Sequence, residues 1–182
     1  MKQTTGRIEV ITGPMFCGKS EELIRRLRRA KIARQCVASF KPAIDNRYDA
    51  GSISSHSLQT LEATLAADTG DLIAKLGDTP AEVIGIDEVQ FFGDAIVQVV
   101  IDLAAAGKRV VLAGLDMDFR AVPFGPVPVL LAIADEIQKL SAVCMSCGLP
   151  AIYTQRLSHS EELVVVGAQG MYEARCRACF EP

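Results

Sequence analysis

Apolar positions along the chain change spacing repeatedly, and each change predicts a new element. Residues 7–12 (Arg-Ile-Glu-Val-Ile-Thr) read as a short strand. Residues 19–34 then place Leu23, Ile24, Leu27, Ala30 and Ile32 to Ala33 at helical spacing. Residues 36–40 read as a second strand, and strand, helix, strand of this length is a βαβ unit with parallel strands. Asp68-Thr69-Gly70-Asp71 signals a helix start, and Gly77 with Pro80 signals its end. Residues 83–88 form a buried-strand run that finishes in two carboxylates. Residues 94–106 are helical up to Gly107, and 109–114 are a further core strand whose apolar run suits a sheet covered on both faces. A short helix over 127–134 and a last strand over 137–143 complete the series. This alternation predicts a parallel α/β sheet flanked by helices.

Two polar stretches interrupt the rhythm. Residues 41–57 are turn-rich and predict a loop near a ligand, and residues 115–126 follow the end of a strand, where open α/β sheets bind ligands. Past residue 143, strands are expected over 151–157 and 163–166, with loops over 158–160 and 167–171.

Chemistry concentrates first at Gly13-Pro14-Met15-Phe16-Cys17-Gly18-Lys19-Ser20, which fits G-x-x-x-x-G-K-[ST] between a strand and a helix. Glycines at both ends let successive N–H groups turn inward around a phosphate, and the helix adds its positive end. Lys19 would reach the β- and γ-phosphates, and the Ser20 hydroxyl would be a magnesium ligand. Asp87 and Glu88 have the form of the second nucleotide motif. Asp87 would hold magnesium through a water, and Glu88 would polarise a water or take the proton of a substrate hydroxyl.

Composition narrows the class. A chain of 182 residues allows one full α/β core and a small appendage. No apolar run approaches the length of a membrane span and the start carries no apolar signal core, so a cytoplasmic location is the expectation. The net charge of −3 hides ten Lys/Arg against three Asp/Glu in residues 1–41. A basic segment around the phosphate loop suits a polyphosphate ligand, whereas the acidic whole argues against a nucleic-acid coat protein. Arg25, Arg26, Arg28, Arg29, Lys31 and Arg34 on one helix read as a solvated or subunit-facing surface.

Cys144-x-x-Cys147 and Cys176-x-x-Cys179 supply four thiolates in two knuckles, the signature of a closed structural zinc site. The segment is too short to bury its own core, so metal would fold it into a ribbon. Two redox dithiols would need a thioredoxin-like context that the chain lacks. Cys17 and Cys36 read as packing residues, and His56 and His159 as ordinary loop residues.

The phosphate loop, Ile86-Asp87-Glu88-Val89-Gln90-Phe91-Phe92, Leu115-Asp116 with Phe119 and Pro123-Phe124-Gly125, and the cysteine knuckles around Tyr172 together resemble the type II thymidine kinase family from residue 7 to 180. The resemblance implies a RecA-like phosphate-loop domain over 1–143 and a zinc-ribbon domain over 144–182 with a lasso-like substrate loop. It implies transfer of the γ-phosphate of ATP to the 5′-hydroxyl of thymidine, with Glu88 as the base and Val89 and Gln90 continuing the ATP-binding motif. It places Met15, Phe91, Leu115, Phe119, Phe124, Leu163, Val165 and Tyr172 around the thymine. A homotetramer, feedback by thymidine triphosphate, and no nucleic-acid or membrane partner are also implied. One departure stands out: the family often has an acidic residue where this chain has Ser57, which would weaken the magnesium shell.

Two rivals stay open on the residues alone. One is a phosphate-loop motor in which Glu88 activates water; the other is a binding module whose ribbon grips nucleic acid. The acidic charge and the lack of aromatic-basic interleaving in the ribbon count against both.

Overall fold

The computed structural model describes residues 6–44, 52–54, 60–77, 79–157 and 170–181. In chain order the elements are β1 (Arg7–Thr12), α1 (Lys19–Ile32), β2 (Val37–Pro42), β3 (Ser52–Ser54), β4 (Thr60–Glu62) and β5 (Thr64–Ala66). They continue with α2 (Thr69–Leu76), β6 (Val83–Ile86), α3 (Ala95–Ala105), β7 (Arg109–Gly114), α4 (Val127–Ile133) and β8 (Glu136–Lys139). Short strands β9 (Ala142–Val143), β10 (Pro150–Ala151), β11 (Tyr153–Arg156) and β12 (Tyr172–Arg175) follow.

Among the described residues one sheet has six strands in the order β5-β2-β6-β7-β1-β8, and every neighbouring pair is parallel. The sequence alternation over 83–86 and 109–114 therefore yields the expected fold, and strict alternation of side chains sorts two cores. Val110 and Leu112 join Ile8, Val10, Ile84 and Ile86 on one face, under Leu72 of α2, Ile96 and Val100 of α3 and Leu130 of α4. Val111 and Ala113 join Ile11 and Val83 on the other, under Leu23, Ile24 and Leu27 of α1. Each of these α1 side chains is fully buried and contributes about 1.5–3 kcal/mol. A side chain at Gly85 would strike Leu27, so that glycine is what lets α1 lie close to β6.

The differences from the sequence expectation are local. Helix α1 stops at Ile32 instead of residue 34, because Arg34 turns to φ 61° and Gln35 N–H returns to the Ala30 carbonyl at 3.1 Å. Ile32 is 82% exposed and lies off the apolar stripe. Lys41 and Pro42, expected in a loop, continue β2 opposite Leu65 and Ala66 of β5. The strand expected over 137–143 is two. β8 completes the central sheet, Leu140 N–H bonds the Thr12 carbonyl at 2.8 Å, and β9 then pairs antiparallel with β10 in the ribbon. The strand expected over 163–166 lies outside the described residues, as do His56, Ser57 and His159. Among the described residues no helix is long and apolar enough to cross a membrane.

One charge is buried in the sheet. Glu9 of β1 is 1% exposed, yet Arg109 binds both its oxygens at 2.6 and 2.9 Å and Arg26 binds Oε2 at 2.6 Å. Burial alone would raise this carboxyl, but the Arg109 and Arg26 hydrogen bonds outweigh it and hold it below its ordinary 4.5. A folded-state value below the unfolded one gives stability that is present above pH 4.5 and lost as pH falls through the folded value. Glu9→Gln should therefore cost about 3 kcal/mol at neutral pH in urea unfolding, and should flatten the acid limb of the stability curve.

Candidate functional site

The carboxyl ends of β1, β6 and β7 deliver three segments to one edge of the sheet. The first is the loop from Gly13 to Gly18. Gly13 (φ 137°) and Gly18 (φ 86°) hold conformations that side chains resist, and a Cβ on Gly13 would meet the Leu140 carbonyl and, at 2.9 Å, Cys17 Sγ. Phe16 is also left-handed, at φ 66°. Pro14 is buried, Met15 and Cys17 are half-buried, and Phe16 is exposed. Gly18 caps α1 with its backbone alone, which leaves the first turn of N–H groups directed at the loop. Lys19 is buried and its ammonium donates to the Pro14 carbonyl at 2.7 Å, while Ser20 is half-buried in the first helical turn.

The second segment follows β6. Asp87 is 5% exposed, and its Oδ1 accepts the Glu88 N–H at 3.0 Å. Glu88 is left-handed (φ 49°, ψ 44°), a conformation costing a non-glycine residue about 1–2 kcal/mol. It ends the strand at Ile86, earlier than the expected residue 88, and starts a single 3-10 turn over Val89–Phe91. Gln90 holds this bend. Its Nε2 donates to Glu88 Oε2 at 2.5 Å, and its Oε1 accepts the Leu115 N–H at 3.2 Å. A backbone N–H can only donate, so the atom facing Leu115 must be oxygen and the amide must turn its NH2 toward the carboxylate. A Cβ on Gly114 would lie 2.7 Å from Gln90 Oε1, so the preceding glycine makes the space for this amide. Val89, expected in the nucleotide motif, has its side chain fully buried in the core below.

The third segment, residues 115–126, is pinned to itself. Asp118 Oδ1 accepts the N–H groups of Arg120 and Val122 at 2.8 and 3.0 Å, and Asp116 is buried against Lys139 Nζ at 2.7 Å. This loop sets Phe124 edge-on to Phe91 with centroids 5.7 Å apart, and presents Phe119.

The ribbon closes on these segments from one side. The Met15 N–H donates to Thr154 Oγ1 of β11 at 3.0 Å, and Cys17 packs against the cluster of Ala142, Cys144, Ala151, Ala174 and Cys176. Burial pushes the Cys17 thiol up, which suits a packing role. Arg156 of β11 lies 3.6 Å over the Phe119 ring and donates from Nη2 to the Tyr172 hydroxyl at 2.6 Å, so one guanidinium ties two of the expected base-contacting rings together. Thr154 and Arg156 were not legible as site residues, because both sit in an ordinary alternating strand. Leu163 and Val165 lie outside the described residues.

The four sulfurs of Cys144, Cys147, Cys176 and Cys179 lie within 4.8 Å of one another, with Cys147 and Cys176 at 3.5 Å. Disulfides would need about 2.05 Å. The edge of a tetrahedron of thiolates around a metal at about 2.3 Å is about 3.8 Å, so this cluster can hold one metal ion.

A parallel sheet with G-x-x-x-x-G-K-S at its carboxyl edge, a neighbouring Asp-Glu pair and a four-cysteine ribbon defines a phosphate-loop nucleotide-binding protein with an appendage that could hold a metal ion. Residues 6–180 match the family model described as thymidine kinase. The curated thymidine kinase of Deinococcus radiodurans is 54% identical, the match spanning 95% of this chain and 89% of that protein. The thymidine kinase of Deinococcus deserti is 52% identical, over 94% of this chain and 93% of that protein. The chain belongs to the thymidine kinase family.

Gln90→Leu keeps the volume but removes both polar atoms. It should lower turnover about tenfold or more and cost about 1–3 kcal/mol, because the Leu115 N–H loses its partner. Steady-state kinetics and thermal unfolding of the same sample check the two parts.

Proposed function

We infer that this kinase transfers the γ-phosphate of ATP to the 5′-hydroxyl of thymidine, and the observation that carries the reading is the joint at Glu88. A carboxylate oriented by the Gln90 amide at the end of a strand, beside a phosphate loop, is suited to accept the proton of an attacking alcohol. The N–H groups of residues 16–18 and of the first turn of α1 cradle the phosphate tail, Lys19 leaves the Pro14 carbonyl for the transferred phosphate, and proton transfer to Glu88 accompanies attack by the 5′-oxygen. Ser20 and Asp87 offer hard oxygen donors that suit magnesium, which when bound would neutralise charge on the phosphate oxygens. Met15, Phe91, Leu115, Phe119, Phe124 and Tyr172 frame the thymine in this reading, with Leu163 and Val165 of the closing segment added.

The metal of the ribbon is zinc in this reading, since four thiolates with no spare position make a closed structural site. The same reading divides the chain into a phosphate-loop domain over 1–143 and a zinc-ribbon domain over 144–182. It also includes a homotetramer, feedback by thymidine triphosphate, a cytoplasmic location and weaker magnesium binding from Ser57 in place of an acidic residue. The family relationship supports the tetramer and the feedback.

Purified protein given magnesium ATP should release ADP only when thymidine is added, with thymidine monophosphate as the matching product. Stimulation by DNA or by water alone would overturn the assignment. Glu88→Gln should retain ATP binding and lose roughly a hundredfold or more in turnover. Elemental analysis should find one zinc per chain, and Cys147→Ser should lose it together with thymidine-dependent ADP release.

A further inference from the structure

The amino end of the sheet carries a second concentration of charge that the reaction does not use. Arg7 opens β1 and Arg109 opens β7, directly opposite each other in the sheet. Thr12, at the other end of β1, leads into the phosphate loop, so about 17–20 Å separates the two ends. Between them and α1 lies a cavity of about 190 Å³, lined by these two residues, Arg25, Arg26 and Arg29 of α1, and the carboxylates of Glu9 and Glu136.

The arginines outnumber what internal pairing needs. Glu9 already receives Arg26, Arg109 and Arg7. Glu136, its neighbour on β8, receives Arg7 and Arg26 Nη1, the latter at 2.9 Å. Glu22 binds Arg25 and Arg26, and the Arg25 hydrogen bond leads in holding its carboxyl down to about 2. Five guanidiniums thus face three carboxylates, a surplus of two positive charges around one concavity. Among the described residues the Arg29 side chain makes no hydrogen bond or ion pair, while it lines the same cavity.

Size selects the class of ligand. About 190 Å³ holds roughly six waters, and it falls below the roughly 300 Å³ at which pockets for whole drug-sized molecules begin. Planar guanidinium forks match the tetrahedral oxygens of phosphate two at a time. We propose that this cavity is a second anion site, distinct from the phosphate loop, that takes inorganic phosphate or pyrophosphate through Arg25 and Arg29 over the Arg7, Arg26 and Arg109 floor. Helix α1 runs from this cavity to Lys19 of the phosphate loop, a span of roughly 9–15 Å.

The test keeps the phosphate loop out of the measurement. Calorimetric titration of pyrophosphate into the full-length Lys19→Ala protein, without magnesium and at physiological ionic strength, should show one saturable site per chain. Adding Arg25→Ala and Arg29→Ala, both at exposed positions, should weaken it roughly tenfold or more. In the Lys19 background those changes should leave circular dichroism unaltered, and in the otherwise native chain they should leave phosphate transfer unaltered. Parallel titration with orthophosphate separates the two sources: tighter pyrophosphate binding supports occupancy by the larger anion, and tighter orthophosphate binding supports the smaller. No saturable binding of either, or affinity indifferent to Arg25 and Arg29, overturns the site.

Discussion

The contact on which the site depends is the one between the phosphate loop and the ribbon. Met15 sits in the middle of a loop whose amides must face inward, yet its N–H is committed to Thr154 of β11, and Cys17 fills the gap against the ribbon's small residues. Gly13 is pressed against the Leu140 carbonyl on the third side. A loop held at three points has little freedom to reorganise, and preorganised donors stabilise transferred charge without the cost of turning toward it. A metal held by the four cysteines would thereby have a physical connection to the phosphate loop. The ribbon core among the described residues consists mainly of alanines and cysteines, too little apolar area to fold unaided, so whatever stiffens the four sulfurs also stiffens β11 and, through Thr154, the loop.

The two ends of the sheet handle their carboxylates by opposite means. At the amino end Glu9 is surrounded by guanidiniums until its charge is fully compensated, which suits a residue whose task is to tie β1, β7 and α1 together. At the carboxyl end the neutral Gln90 amide donates to Glu88 on a bent backbone, and Asp87 Oδ1 accepts the Glu88 N–H. A carboxylate ringed by guanidiniums is a poor proton acceptor, so Glu9 is confined to a structural task. The separation of these environments along strands of six residues or fewer is what an α/β sheet with a charged base and a phosphate-loop edge provides.

How far the sequence carried the fold depends on how much of each element is decided locally. Strand β1, strand β7, the capped start of α2 at Asp68 and its end at Gly77 are encoded by neighbouring residues, and they stand where the pattern placed them. The cysteine spacing was equally readable, because metal-ligand geometry is written in the spacing itself. What escaped was decided at a distance. β5 is a three-residue edge strand with a mixed pattern, and it exists because β2 offers it a partner. The break between β8 and β9 comes from Leu140 being claimed by Thr12. Arg156 looks like any charged strand residue until Phe119 and Tyr172, one from a different strand and one from a loop, are brought to it.

The same distinction explains why the motif alone leaves Glu88 ambiguous between water activation and alcohol activation; in the reading proposed above, its surroundings suit the second. A carboxylate meant to polarise bulk water needs an open approach, whereas here Gln90 occupies one of its oxygens and is itself locked by Leu115 and by the space that Gly114 vacates. The locked amide leads directly into the loop that carries Phe119 and Phe124, and Phe91, the next residue, meets Phe124 edge-on. The carboxylate and the aromatic frame are thereby set by one short chain of contacts. On the proposed reading, an acceptor whose orientation is fixed by the groups that would frame a flat ring is matched to an alcohol delivered on that ring at a fixed distance, and poorly matched to water, which arrives with no such handle.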